Sequence, residues 1–482
     1  MTEADLIIIG AGPGGYEVAA GQAAAGKRVV VIERDEPGGT CLNRGCIPTK
    51  CLCAAAGTLR TVRGAAAFGI DISGVNADYA QAVERMRGIV SGLRDGVSQM
   101  LAGCTYVKGE ARITADGHVQ VGDELYTAPK VLIATGSRPA RLPFDDGTAA
   151  ITSDELLQRT TLPASIAIIG GGVIGLEFAD ILNAYGVEVT VVEYCKEVLP
   201  PFDAEIAKRL RSLMSRRGVK FVLGAAVTEI GAIAGTQGND VEPHGNDVGT
   251  RGNDVGTRGN DVGTRGSALS SVAPTEPAAP AKFVTYTGKK GPETLHVHEV
   301  LTAVGRRPVV PAGLADAGIG VDKRGFIVTD EHMQTTRPGF YAVGDCNGRL
   351  MLAHAATAQA RVALGQDVCL SAILSAVFTE PECAMVGLTS EQCATQGIPV
   401  RTAKAMFAGS GKAQAMGQTQ GLVKTIYHAE TDAVLGCHIC GPHAADLIQE
   451  MVIPVANAMT ASDLRRYVHG HPTLSEVLAA TF

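Results

Sequence analysis

The sequence predicts an α/β chain in which two open, mostly parallel sheets are each covered by helices. Three observations carry this reading. A strand–glycine turn–helix–strand pattern beginning at Leu6 returns at Ile166, an offset of 160 residues. Each strand-like stretch in it is a short, continuous apolar run, as expected of a parallel strand buried on both faces. The chain has 482 residues, enough for about three domains of about 150 residues each.

The first unit reads "LIIIGAGPGGYEVAAGQAAAGKRVVVIER" and the second "IAIIGGGVIGLEFADILNAYGVEVTVVEY". Gly10, Gly12, Gly15, Glu17, Gly26 and Glu33 register with Gly170, Gly172, Gly175, Glu177, Gly186 and Glu193. In such a Rossmann-like unit the first glycine makes the turn and the second lets backbone approach a pyrophosphate. The third lets helix and strand pack closely, and the helix N-terminus faces the phosphates. The acid closing each unit stands where a ribose diol needs an acceptor. Two units imply two dinucleotides, and a flavin with a nicotinamide is the natural pair because hydride passes between them. Glu193 favours a free 2′-hydroxyl over a 2′-phosphate, and the following "YCKEVLPPFD" holds one lysine and no arginine pair. NAD is therefore expected rather than NADP.

Composition argues against other classes. Net charge is −7, tryptophan is absent and aromatics make up 4%, which leaves little for stacking-based or phosphate-based nucleic-acid binding. The opening "MTEADLIIIGAG" has an acidic flank and a short apolar run, unlike a signal or transit peptide. No stretch offers the roughly 18 apolar residues that span a bilayer. A cytoplasmic protein is expected, and a working disulfide there would be catalytic rather than a staple.

The stretch "GGTCLNRGCIPTKCLC" carries Cys41, Cys46, Cys51 and Cys53. Their spacings of 5, 5 and 2 suit no thiolate cage for a metal. Cys41 and Cys46 can bring their sulfurs together if Cys41 ends a loop and a helix starts nearby. Pro48 suits a first helical turn, and a helix N-terminus and Lys50 both favour a thiolate. Cys51 and Cys53 fall beyond Lys50 and read as packing residues.

Between Gly238 and Gly266 the chain reads GNDVEPH once and GNDVGTR three times. With one valine per unit it cannot bury enough surface to offset its ordering entropy, and its period of seven does not match calcium-binding coil repeats. The Pro-rich "SALSSVAPTEPAAPA" follows. An insert over 235–281 is expected to be disordered and to hang from the second unit. "VKFVLGAAVTEIGAI" before it, and "KFVTYTG" and "TLHVHEVLTAVGRRP" after it, read as strands. His296 and His298 are expected on one face of a strand, as a surface feature. "CHIC", Cys437 to Cys440, has the spacing of a zinc or redox pair. It lies in a strand-like run where residues three apart face opposite ways. Cys346 and Cys383 read as small buried apolar residues.

Further motifs follow in order: "VLIATGSRP" at 131–139, "VGRRP" at 304–308, "YAVGDCNGRLMLAHAA" at 341–356, "FTEPECAMVG" at 378–387 and "HGHPTLSE" at 469–476. With the redox segment and "GGGVIGLEFA" at 170–179, these resemble the FAD-dependent pyridine nucleotide–disulfide oxidoreductases of class I. Among them the chain is most similar to the dihydrolipoyl dehydrogenases, over essentially its whole length except the insert and linker. The resemblance implies an α/β fold of two Rossmann-like domains with a C-terminal α+β dimerisation domain. Its parts would be an FAD-binding domain over 1–150 and an NAD-binding domain over 151–307. A segment over 308–372 would complete the first, and an interface domain would span 373–482.

The resemblance also implies roles. Cys41 and Cys46 would be the redox disulfide, Cys41 exchanging with the dithiol and Cys46 contacting the flavin. Lys50 and Glu177 would pair beside the flavin ring. His471 would take the dithiol proton, oriented by Glu476, and would serve the partner's disulfide across a two-fold dimer. FAD would lie along Gly10, Gly12, Gly15, Glu33, Lys50, Ala111, Thr135, Gly136, Ser137 and Asp345, with Met351, Leu352, Ala353 and His354. NAD would lie along Gly170, Gly172, Gly175, Glu177, Glu193, Val227 and Gly305. No metal is expected. The expected reaction is oxidation of dihydrolipoamide by NAD, with a lipoyl-bearing protein of a 2-oxo-acid dehydrogenase or glycine-cleavage complex as partner. Histidine suits that proton transfer because it titrates near neutrality. Only the family match selects His471 over His469.

Alternatives are weighed by residue. A glutathione-type reductase would hold NADPH with arginines that are missing after Glu193. A mercuric reductase would need a thiol pair in "LSEVLAATF", which has none. A purely structural subunit would not need the cysteines, Lys50 and the His471–Glu476 motif. Arg44 replaces a small apolar residue common between the cysteines and is expected near the substrate mouth. The apolar face Leu447, Ile448, Met451, Val452 and Val455 in "AADLIQEMVIPVANAM" fits a helix, packed either across a dimer or on its own domain core.

Overall fold

The computed structural model describes residues 1–233 and 279–482; the seven-residue repeats lie outside them. Each glycine-turn unit forms a parallel sheet. In the first, Leu6–Ile9 lies between Val29–Glu33 and Val131–Ile133. Thr105–Lys108 and Phe340–Ala342 form the edges, so a strand from far along the chain completes this sheet. In the second, Ser165–Ile169 pairs with Glu188–Glu193 and Glu299–Thr302, and Lys220–Leu223 forms an edge. The runs IIII-like in character are buried throughout, as the sequence pattern requires.

The helices Pro13–Ala24 and Val173–Ala184 follow the two turns. A Cβ on Gly15 would lie 2.0 Å from the Gly10 carbonyl oxygen, and one on Gly175 would lie 2.0 Å from that of Gly170. Any side chain there would push the helix off its strand, so both third glycines do the packing work assigned to them. The equivalent acids on these helices diverge: Glu17 is exposed, whereas Glu177 is buried.

The insert leaves and returns at one place. Ala226–Ala232 and Lys282–Gly288 pair antiparallel with Ala232 opposite Lys282, and Ile233 N–H donates to the Ala281 carbonyl at 2.8 Å. The third strand of this sheet ends at Val297, so His298 lies outside it rather than on a strand face with His296. The Ser165 hydroxyl meets His298 Nδ1 at 2.8 Å. Among the described residues no group of three or more His, Cys, Asp or Glu could hold a metal, and no helix is long and apolar enough to cross a membrane.

The C-terminal part is a five-stranded antiparallel sheet ordered Ser375–Val377, Glu382–Gly387, Val434–Gly441, Leu422–His428, Val400–Met406. Cys437 and Cys440 are buried on opposite faces of one strand, in different core clusters, and Cys440 sits directly across from Cys383. The expected helix over "AADLIQEMVIPVANAM" is broken. It runs as Ala444–Leu447, a 3-10 turn Ile448–Met451, and Val452–Ala456. Pro454 has no N–H to donate to the carbonyl four residues back, which denies the helix continuity there. Its apolar residues Leu447, Ile448, Met451, Val452 and Val455 pack on this domain's own core.

Candidate active site

Both glycine turns open on one cavity of about 1540 Å³, lined from Gly10 and Gly12 to Gly170 and Gly172. The two halves treat their terminal acids alike. Glu33 accepts the Ala11 N–H at 2.7 Å and the Asp35 N–H at 2.8 Å. Glu193 accepts the Gly171 N–H at 2.5 Å and the Cys195 N–H at 2.6 Å. Each carboxylate is thus locked beside its glycine turn, with lone pairs left for ribose hydroxyls. Burial pushes the Glu33 carboxyl up, against the backbone N–H bonds that hold it down. Neither helix N-terminus carries a side-chain cap, so first-turn N–H groups remain for a pyrophosphate. This donor set, at both ends of a cavity of about 1540 Å³, fits two dinucleotides.

The redox segment folds as two helices, Gly39–Arg44 and Cys46–Arg63. Cys41 therefore sits inside a short helix, not at the end of a loop. Gly45 makes the break. A Cβ on it would lie 2.9 Å from the Thr40 carbonyl oxygen and 3.3 Å from Cys41 Cα, so the close abutment of the two helices requires glycine. Cys41 and Cys46 both line the cavity.

Cys46 is the first residue of its helix, where the dipole favours an anion. Its thiol is lowered to about 7 by a hydrogen bond from Cys41, against desolvation, with the Lys50 ammonium also lowering it. The Cys41 thiol is pushed well up, because its proton is held in that bond and because it is desolvated. The two thiols are thus shifted in opposite directions, Cys46 down and Cys41 up. Lys50 Nζ lies 2.9 Å from both Glu177 carboxylate oxygens and 4.6 Å from the Phe378 ring centroid. Desolvation opposes the Lys50 charge, but the Glu177 carboxylate outweighs it and raises the ammonium's pKa.

Three connections here were not anticipated. The Phe378 N–H donates to Glu177 at 3.0 Å. Asp180, three residues on and buried, accepts from Arg60 at 2.8 Å, from Arg217 at 2.8 Å and from the Glu380 N–H at 3.1 Å. The helix Val173–Ala184 thereby ties the redox helix to the C-terminal sheet. Its only sequence signal was a pair of acids three apart on an otherwise apolar helix. Arg306 Nε donates to the Ser137 hydroxyl at 2.6 Å, which donates to Asp345 at 2.5 Å. "VGRRP" contained that signal.

Ala111, Thr135, Gly136, Ser137, Asp345, Met351, Leu352, Ala353 and His354 line the cavity near the first turn's sheet, and Val227 and Gly305 line it in the second unit. Gly15 and Gly175 do not line it; they pack helix on strand. Arg44 lines the cavity beside Cys41 and is also ion-paired with Asp35, just past the strand end that carries Glu33.

His471 and Glu476 are not among the residues lining this cavity. His471 Nδ1 lies 2.9 Å from Glu476 Oε1, and the His471 side chain is 80% exposed. The Thr473 N–H also donates to Glu476, at 2.9 Å. These bonds, His471's first, hold the Glu476 carboxyl below its usual range. With Nδ1 turned to the carboxylate, Nε2 is the nitrogen presented outward. His469 Nε2 is hydrogen-bonded to the Glu450 carboxylate, and its side chain is only 14% exposed. Geometry thus separates the two histidines, which sequence spacing alone did not. Ile453, Tyr467 and Val468 are exposed nearby in the chain.

Comparison with known proteins agrees with this architecture. Residues 4–251 and 269–360 match the pyridine nucleotide–disulphide oxidoreductase model, and residues 373–481 match the dimerisation domain of the same family. The dihydrolipoyl dehydrogenase of Chlamydia muridarum is 35% identical over 499 residues, covering 99% of this chain and 96% of the relative. That of Bacillus subtilis is 33% identical over 502 residues, covering 99% and 97%. Among solved structures, LpdA from Mycobacterium tuberculosis superposes with a TM-score of 0.81 at 26% identity, covering 100% of this chain and 99% of that one. The HOCl-induced flavoprotein disulfide reductase RclA from Escherichia coli gives 0.79 at 25% identity, covering 99% of each. Two glycine-turn sheets around one cavity, a thiol pair between them and a matched dimerisation domain make this chain a member of the pyridine nucleotide–disulphide oxidoreductase family.

Proposed function

We propose that the chain acts as a dihydrolipoyl dehydrogenase, a homodimer that uses FAD and NAD. The observation that carries this reading is the full-length similarity to enzymes of that name, joined to the unequal thiol pair beside Lys50 and Glu177. Its natural substrate would be dihydrolipoamide on a lipoyl-bearing protein of a 2-oxo-acid dehydrogenase or glycine-cleavage complex.

Chemistry on the chain's own atoms starts with the oxidised pair. His471 Nε2 of one protomer removes a thiol proton from dihydrolipoamide held at the other protomer's disulfide. The substrate thiolate attacks Cys41 Sγ, forming a mixed disulfide and breaking the Cys41–Cys46 bond, with Cys46 leaving as thiolate. A leaving thiol with a pKa near 7 is a good one. The second substrate thiol then attacks the mixed disulfide, closing the lipoamide ring and releasing Cys41, which takes up a proton. Two electrons have passed from two substrate thiols to the cysteine pair. FAD, when bound, supplies the two-electron relay from that pair to NAD. Lys50 and Glu177 keep a fixed charge pair beside Cys46 while this happens. Glu476 holds the His471 ring in the tautomer that accepts at Nε2.

Steady-state rates separate this reading from its rivals. Purified protein would be assayed with dihydrolipoamide and NAD, with glutathione disulfide and NADPH, and with Hg(II) and NADPH. Turnover of the first pair is expected. Failure of the first with success of either other pair would replace the proposal with that reductase activity.

A further inference from the structure

The segment between the short helices Ala461–Leu464 and Glu476–Ala479 carries His471 and has no regular secondary structure of its own. Something must fix it, because a proton acceptor displaced by about 1 Å costs about a hundredfold in rate. On the C-terminal side the Thr473 hydroxyl donates to the Gly470 carbonyl at 2.7 Å, and the Thr473 N–H donates to Glu476. On the N-terminal side Tyr467 and Val468 are exposed, Val468 at 98%. His469 is the contrast. Its Nε2 is bonded to the Glu450 carboxylate, and its ring lies 5.7 Å from that of Phe482, tilted by 55°. Glu450 belongs to the 3-10 turn Ile448–Met451, whose Ile448 and Met451 are fully buried. His469 thus joins the loop to the domain core, two residues from the exposed His471.

We propose that His469 is a positioning residue: clamped by Glu450 and Phe482, it fixes the loop that presents His471 to the substrate thiol. The proposal rests on His471 being the thiol base of the reaction described above. The bland alternative is a contact that only stabilises the C-terminal domain. The two differ in what they disturb. A positioning contact affects the thiol step alone, since electron flow from NADH to the flavin does not involve His471. A stabilising contact affects the whole molecule.

The test uses the full-length, FAD-loaded dimer with His469→Asn, Glu450→Gln and the double variant. Two activities are compared: NAD reduction by dihydrolipoamide, and NADH oxidation by a soluble quinone, which bypasses the thiols. The expected result is a fall of about tenfold or more in kcat with dihydrolipoamide, at similar KM and unchanged quinone activity. The double variant should be no slower than the slower single one, because both changes break one contact. Unchanged thiol turnover overturns the proposal. So does an equal loss of both activities, or single effects that multiply. A His471→Gln control separates the layers. If the wild type fails to oxidise dihydrolipoamide, or His471→Gln still does, the proposed function or the base assignment is wrong and the positioning role falls with it. If both controls behave and His469→Asn is normal, only the positioning role is wrong.

Discussion

Lys50 reaches from the redox helix to Glu177 on the second glycine-turn helix, with its Nζ 2.9 Å from both carboxylate oxygens. One contact thus joins the thiol pair, the second nucleotide unit and, through the Phe378 N–H on Glu177, the C-terminal sheet. It places a cation beside Cys46 while that cation's own charge is balanced.

Replacing Lys50 with Met removes one of the charges that lower the Cys46 thiol and leaves Glu177, which raises it. A thiol with a pKa near 7 is half ionised at neutrality and ionises as pH rises through that value. In Lys50→Met the thiolate should appear about one pH unit higher or more. Thiolate absorbance of the reduced protein across pH measures this directly. An unmoved midpoint would assign the lowering to Cys41 and the helix terminus alone.

Asp180 is buried with two arginines on its oxygens. Its carboxyl is pushed up by burial and pulled back by those arginines. Asp180→Ala takes this carboxylate from Arg217 and leaves Arg60 only Glu380 at 3.3 Å, and removing one partner of such a buried charge cluster costs about 3–5 kcal/mol. A clear drop in the melting temperature is expected. A melting curve like that of the wild type would show that solvent reaches this junction.

Glu193 should set coenzyme preference. Removing its carboxylate in Glu193→Ala takes away the ribose acceptor and the repulsion of a 2′-phosphate together. The ratio of kcat/KM for NADH over NADPH should fall by about tenfold or more. If only stability changes, the backbone N–H bonds from Gly171 and Cys195 are its whole role.

The repeat insert should be dispensable. Its flanking strands are paired up to Ala232 and Lys282, so the linker residues left by a deletion can still span the gap, and shortening a loop changes closure entropy only slowly. Deletion of residues 238–266 should leave dihydrolipoamide turnover near that of the full chain. A large loss would give the repeats a role in the reaction.

Legibility in the sequence followed the range of the physics involved. The two sheets were legible because glycine turns and buried apolar runs are local patterns, and the matching grip on Glu33 and Glu193 shows how faithfully the repeat was kept. Pro454 interrupted a helix whose apolar spacing looked continuous, because spacing reports the buried face and not the missing N–H. The Asp180 junction was hidden because Arg60, Arg217 and Glu380 are distant in sequence and meet only in the folded chain. His471 could be preferred over His469 only by resemblance until their exposures, 80% and 14%, were in view.

In the proposed reaction electrons enter through Cys41. The decisive measurement is NADH formation from dihydrolipoamide and NAD, made side by side for the wild-type and Cys41→Ser chains with FAD bound. Steady turnover by the wild type and none above background by Cys41→Ser are expected. Comparable rates from the two chains would mean that electrons enter elsewhere.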